Sequence, residues 1–186
     1  MRVAVFCGSS SGNNPEFIRA TKALGQYLAE NGIDIVYGGG KVGLMGVIAD
    51  AVIDNGGKVY GVIPQYLKDK EIAHRNITEL SVVSDMHERK ACMAEMADAF
   101  VALPGGAGTL EEIFEAWTWA QLGHHNKPCA FYNIEGFYNQ LIGMIEQMSS
   151  TGFLKPEYAE MLIHTSDPVE LLSSINRYKA PEQKWN

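Results

Sequence analysis

Short apolar, β-branched runs alternate along this chain with segments whose apolar residues recur at helical spacing. Val3–Cys7, Ile33–Tyr37, Lys58–Ile63, Ala99–Leu103 and Cys129–Tyr132 read as strands, since apolar runs of this length bounded by turn residues suit a sheet buried on both faces. The stretches between them read as helices. Asn14-Pro15 opens the first of these as cap and first helical residue, Asn31-Gly32 ends it, and Asn55-Gly56-Gly57 closes the second, each a boundary that the turn chemistry of Asn, Gly and Pro favours. Ser84 or Asp85 caps a further helix, an amphipathic helix covers Phe137–Ser150, and a last one runs from Asp167-Pro168 to Tyr178. Strand and helix in strict alternation predict an α/β fold, Rossmann-like, with a doubly wound parallel sheet. With 186 residues, 46% of them apolar, one compact domain over 1–186 is expected. The longest irregular stretch is Pro64–Ser84, polar and carrying Lys68, Asp69, Lys70, Glu71, His74 and Arg75. Loops of that length in compact domains tend to be functional, which makes this one a candidate lid.

The sharpest local signal is Val101 to Glu112, where an apolar strand runs into Pro104-Gly105-Gly106-Ala107-Gly108-Thr109 and then into a helix. That order leaves backbone N–H groups unpaired at a helix N-terminus, with the positive end of the helix dipole behind them, and so builds an anion site. The loop lacks the Lys of a P-loop and the spacing of a dinucleotide fingerprint. Glu112 stands about 6 Å along the helix axis from Gly108 at 1.5 Å per residue, roughly the reach from a 5′-phosphate to the anomeric carbon of its ribose. Two more glycine clusters follow strands, Cys7 to Gly12 and Tyr37 to Gly46. In an open parallel sheet all three open on the rim at the carboxyl ends of the strands, where ligands bind. Each cluster alone is ordinary turn chemistry; three on one rim point to a nucleotide, with Ser9, Gly39 and Gly40 as candidate contacts and the Gly40–Gly46 turn holding ribose or a second side of the phosphate.

The net charge of −7, with 15 basic residues spread without a cluster, argues against a nucleic-acid partner and for a small ligand. Cys7, Cys92 and Cys129 lack CxxC or Cys/His ligand spacing, so reduced thiols in the cytoplasm are expected, with no metal. Neither a signal-peptide core nor an apolar run of about 18 residues is present, and no membrane span is expected. Arg89 and Lys90 are suited to phosphate or carboxylate, although spacing alone favours a solvated basic patch. His87 reads as a surface or packing residue, and His124 and His125 as following a helix end. Trp117, Trp119, Met93, Met96 and Phe114 give two helices more large apolar side chains than one sheet face usually needs, which suggests an oligomer contact.

Cys7-Gly8-Ser9-Ser10, Tyr37-Gly38-Gly39-Gly40 with Gly43-Leu44-Met45-Gly46, Met86-His87-Glu88-Arg89-Lys90 and the intact PGGxGTxxE motif from Pro104 to Glu112 resemble the Lonely Guy family, cytokinin riboside 5′-monophosphate phosphoribohydrolases. The resemblance covers most of the chain. It implies hydrolysis of the N-glycosidic bond of a purine nucleoside 5′-monophosphate, AMP included, to free base and ribose 5-phosphate, without a cofactor, by a homodimer or larger assembly. It implies catalytic roles for Arg89 and Glu112. Substrate contacts fall on Glu71, Lys90, Thr118 and the run Gly105, Gly106, Ala107, Gly108, Thr109, Leu110 and Glu111, with Ser9, Gly39, Gly40 and Met86 beside them. Residue chemistry agrees, since a carboxylate near C1′ stabilises the positive charge that builds as the base departs or activates water. Neighbouring helix residues point about 100° apart, so Glu111 and Glu112 serve different ends, Glu111 binding ribose hydroxyls or capping the helix. Arg89 either orients Glu112 or grips the phosphate. An older lysine decarboxylase label needs a pyridoxal-phosphate Lys; Lys41 and Lys90 are the only lysines near the glycine loops, and 186 residues leave little room for a second domain. The reading from another class is a non-catalytic nucleotide or cofactor carrier on the same rim.

Overall fold

The computed structural model describes residues 1–70 and 73–183. Seven parallel strands form one sheet in the order β4-β3-β2-β1-β5-β6-β7: β1 Arg2–Phe6, β2 Asp34–Tyr37, β3 Val59–Pro64, β4 Glu79–Val83, β5 Ala99–Ala102, β6 Cys129–Tyr132 and β7 Leu162–Thr165. The helices are α1 Pro15–Glu30, α2 Gly43–Asp54, α3 Gln65–Lys68, α4 Met86–Met96, α5 Ala107–Gln121, α6 Asn139–Ser150, α7 Pro156–Glu160 and α8 Pro168–Arg177. Successive strand residues face opposite sides, so each strand feeds two cores. Val3 and Val5 of β1 pack with Leu24 and Leu28 of α1, Ile48 and Val52 of α2 and Leu171 of α8 on one face. Ala4 and Phe6 pack with Met93 of α4, Ile113 and Trp117 of α5 and Ile145 of α6 on the other. Each fully buried aliphatic side chain of this kind contributes about 1.5–3 kcal/mol.

Five of the seven strands lie where the hydrophobic pattern puts them. The two it misses, β4 and β7, are the sheet edges: β4 pairs only with β3, from Tyr60↔Glu79 to Pro64↔Val83, and β7 only with β6. An edge strand need not be apolar on both faces, and Glu79 and Val82 of β4 are exposed, so Glu-Leu-Ser-Val-Val carries little of the buried-strand signature. Pro64–Ser84 is therefore not one irregular stretch. It holds α3 and β4, and between them Ala73 bridges Gly40 while His74 donates its backbone N–H to Gly39 O at 3.0 Å. The His74 ring is buried, with Nε2 2.8 Å from Asp50 Oδ1 and Nδ1 accepting from the Asn76 N–H. The helix expected from Phe137 begins instead at Asn139, after a 3-10 turn at Ile134–Gly136, and the last helix ends at Arg177, one residue short of Tyr178.

From β1 the chain winds outward through β2, β3 and β4, then returns to β5 on the other side of β1. The reversal between β1 and β5 opens a crevice at their carboxyl ends. All three glycine clusters meet there. Gly8 N–H donates to Pro104 O and Leu44 N–H to Gly8 O, both at 3.0 Å, tying the loops after β1, β2 and β5 together. Gly43, at φ 59°, lies against the Ser9–Ser10 backbone, where a Cβ has no room.

Candidate active site

The N-terminus of α5 has no side-chain cap. Asn14, Asp85 and Asp167 accept first-turn N–H bonds at α1, α4 and α8, whereas Gly106 stands at the head of α5 with nothing to offer. Leu110 N–H returns to Gly106 O, which leaves the N–H groups of Ala107, Gly108 and Thr109 without an acceptor among the described residues, at the positive end of a 15-residue helix. Gly106 and Gly108 have open space where a Cβ would stand, while Gly105 is packed against Thr109 and Gly8. Buried Thr109 thus closes the loop from below and the two outer glycines face a ligand. Beside them a cavity of about 330 Å³ opens between Gly8–Gly12, Pro104–Gly106, Phe17 and Phe137, with exposed Ser9 on its wall. A phosphate fits this array of donors.

One turn further along α5 is the acid. The Glu112 side chain is 11% exposed, and its Oε1 lies 3.8 Å from Nη2 of Arg89, whose side chain is 10% exposed. Burial pushes the Glu112 carboxyl up to about 7; the Arg89 guanidinium opposes that shift and only partly offsets it. Arg89 is delivered by α4, whose start is held by the Asp85 side chain accepting from the His87 and Glu88 N–H groups, while Glu88 accepts from the Ser84 N–H. Its Nη1 donates to Met86 Sδ at 3.6 Å, and its Nε has no partner among the described residues. Cys7, buried at the end of β1, feels both Glu112 and Arg89; burial pushes its thiol far up, so the floor of the site is neutral.

The neighbouring pair behaves differently. Lys90 Nζ contacts Glu111 Oε1 at 2.5 Å and Glu115 Oε2 at 2.9 Å. Burial opposes the ammonium charge, but the two carboxylates outweigh it and raise the Lys90 pKa. Arg89 and Lys90 are both buried, so neither belongs to a solvated basic patch: α4 turns both toward α5, and the carboxylates of α5 take up their charge. Glu111 is engaged with Lys90 and does not cap the helix.

The fold thus brings together Arg89, Glu112, Met86, Lys90, Glu111 and the Gly105–Thr109 loop. Leu110 is half-buried against the α4–α5 core. Gly39 and Gly40 are buried and engaged by Ala73 and His74. Thr118 is exposed, with its hydroxyl donating to Phe114 O, and lies six residues beyond Glu112, about 9 Å along the axis and on another face of the helix. Glu71 is outside the described residues. Two residues escaped the reading of the chain. Glu115, the second partner of Lys90, was signalled by its i,i+4 spacing from Glu111; Gly38, which packs against Arg89, carried no signal apart from its glycine cluster.

Residues 45–175 match the model of a family described as "Possible lysine decarboxylase". The chain is similar to a probable cytokinin riboside 5′-monophosphate phosphoribohydrolase of Oryza sativa subsp. japonica, at 46% identity over 99% of this chain and 85% of that one. It is also similar to a cytokinin riboside 5′-monophosphate phosphoribohydrolase of Arabidopsis thaliana, at 48% identity over 96% of this chain and 82% of that one. Among solved structures it shares its fold with the molybdenum cofactor carrier protein of Chlamydomonas reinhardtii, with TM-score 0.69, 16% identity and coverage of 95% and 96%. The molybdenum cofactor binding protein of Rippkaea orientalis shares it too, with TM-score 0.70, 20% identity and coverage of 94% and 96%.

Proposed function

The chain belongs to the Lonely Guy family of cytokinin riboside 5′-monophosphate phosphoribohydrolases, and we propose that it hydrolyses the N-glycosidic bond of purine riboside 5′-monophosphates, AMP and cytokinin nucleotides alike, to free base and ribose 5-phosphate. The observation that carries this reading is a buried carboxyl, Glu112, held 3.8 Å from Arg89 one turn beyond an uncapped helix N-terminus. The phosphate sits on the Ala107–Thr109 N–H groups, which sets the ribose over the first turn of α5 and C1′ against Glu112. As the C1′–N bond breaks, its electron pair leaves with the base, which takes up a proton, and positive charge builds on the ribose ring. The Glu112 carboxylate stabilises that charge and aligns the water whose oxygen joins C1′. Arg89 favours the ionised form of the acid and holds it in place. Lys90, Glu111, Met86, Ser9, Gly39, Gly40 and Glu71 complete the substrate surface in this reading.

The assembly we propose is a homodimer or larger, with the single domain 1–186 as its unit. Trp117 and Met93 are buried in the chain's own core, which leaves Phe114, Met96 and Trp119, all half-buried, and exposed Leu122 as apolar surface for a second copy. Thr118, on the exposed face of α5, serves as a substrate contact only if a neighbouring chain brings a site to it. Among the described residues no helix is long and apolar enough to cross a membrane, and the three cysteines are unpaired, which suits a reducing cytoplasm. Chromatography of AMP, isopentenyl-AMP, GMP and CMP reactions tests the activity. Free adenine and isopentenyladenine are expected, with little release from CMP. No base release alongside nucleotide binding returns the chain to the carrier class. Light scattering behind a sizing column tests the assembly, where a fully active particle of single-chain mass removes the dimer.

A further inference from the structure

Gly38 follows β2 directly, is buried, and has no backbone reason to be glycine. Gly39 and Gly43 have positive φ values of 77° and 59°, but Gly38 does not lie in the left-handed region. Its missing side chain is explained by what occupies the space. A Cβ built there collides with Arg89 Nη2 and comes within 3.1 Å of Arg89 Cζ and 3.5 Å of Met45 Sδ. Nη2 is the same nitrogen that lies 3.8 Å from Glu112 Oε1. The space beside Gly38 is thus a slot filled by the tip of Arg89, with Met86 Sδ receiving the other terminal nitrogen.

We propose that Gly38 is a positioning residue for the reaction, a gap in the rim that lets the Arg89 guanidinium lie flat against the β2 end and reach Glu112. Any side chain at 38 pushes that guanidinium out of the slot and away from the carboxylate. The obstructed atom is the far end of a flexible side chain, so the fold tolerates the change while the site does not. The consequence is electrostatic. Glu112 is faced by Arg89 and Lys90 from α4, by Glu111 and Glu115 on its own helix, and by the buried Cys7 thiol after β1. Of these, Arg89 is the largest influence favouring the ionised acid. With Arg89 displaced, burial and the two neighbouring glutamates act on Glu112 with less opposition, and a smaller fraction is ionised at neutral pH.

The role rests on the functional reading above, so the test has one arm that needs no substrate. Side-chain carbon NMR of ¹³C-Glu protein, with the Glu112 resonance assigned by its loss in Glu112→Gln, follows the titration of that carboxyl. In Gly38→Ala its midpoint is expected to rise by about one pH unit. The acid limb of kcat/KM for AMP should rise with it, giving about a fivefold loss at pH 7 that approaches tenfold at lower pH and fades as pH increases. Arg89→Met, whose side chain ends near the position of the Arg Nε, leaves the slot empty, so adding Gly38→Ala to it should change neither the midpoint nor the rate further. The same double variant covers folding: a melting-temperature loss in Gly38→Ala that Arg89→Met relieves also places Arg89 in the slot. An unmoved Glu112 midpoint in folded Gly38→Ala, multiplying effects in the double variant, or a folding loss that Arg89→Met leaves in place overturns the role of Gly38. Absence of base release from any nucleotide by wild type removes the functional reading instead, and the titration arm still reports on the slot.

Discussion

Two ion pairs join α4 to α5 through adjacent residues on each helix, and they are built to opposite standards. Lys90 with Glu111 and Glu115 has contacts of 2.5 and 2.9 Å, and the Glu111 side chain is 54% exposed. The cation there has two partners and water reaches the acids, so the cluster is satisfied and holds the helices in register. Arg89 and Glu112 are both nearly buried but stand 3.8 Å apart, with Arg89 Nε unpartnered among the described residues and the acid pushed up to about 7. A buried pair left loose is costly to the fold, and such a pair at the mouth of an anion site is poised to interact with something else. One residue of offset on two helices separates a satisfied structural contact from the pair we propose as catalytic.

The hardest test of that contrast is Glu112→Gln, which keeps size and removes charge. Turnover of AMP should fall by about 10²-fold or more while calorimetric binding of AMP stays close to wild type; near-normal turnover would break the assignment. The sign of the pH effect follows from the upward shift. The native state binds the Glu112 proton more tightly than the unfolded chain does, so between the ordinary carboxylate range and pH 7 wild type should lose stability relative to Glu112→Gln, on the order of 3 kcal/mol, read by urea denaturation across pH. Activity runs the other way and rises through pH 7 as the carboxylate forms.

Next in size is the phosphate. Two or three charge-assisted bonds from backbone N–H groups are worth about 1.5–3 kcal/mol each, so adenosine should be a poorer substrate than AMP by about 10²-fold or more in kcat/KM. Gly108→Val should cut AMP affinity, because its side chain enters the open space above the loop. Equal efficiency on AMP and adenosine would leave the loop without an anion to hold. On the structural side, Lys90→Met should cost about 1 kcal/mol and lower Tm by about 2–4 °C for a chain of this length, while the pH at which Glu112 acts moves little. The smallest effect belongs to Glu111→Gln, within about threefold in turnover, since Lys90 keeps Glu115. A loss matching that of Glu112→Gln would erase the distinction between the pairs.

Central strands and glycine loops were legible along the chain because buried parallel strands are apolar throughout and tight turns need Gly or Asn. The edge strands Glu79–Val83 and Leu162–Thr165 were not, because one side of each meets no neighbour and tolerates polar residues. The acid at 112 and the anion loop could be read from spacing along a single helix. The fate of Arg89 and Lys90 could not: in α4 they look like two surface cations, and only the packing of α4 against α5 buries both.

By itself, then, the chain determined the features that depend on near neighbours: the order of the five inner strands and the helices between them, the three rim loops, and an uncapped helix start with a glutamate one turn on. The tertiary structure decided everything that depends on distant segments meeting in space. It paired Arg89 with Glu112 and Lys90 with Glu111, made room for Arg89 at Gly38, and turned Gly39 and Gly40 toward Ala73 and His74. The physical reason is that periodicity and turn propensity are local, whereas desolvation and charge pairing act through distances that chain spacing does not specify.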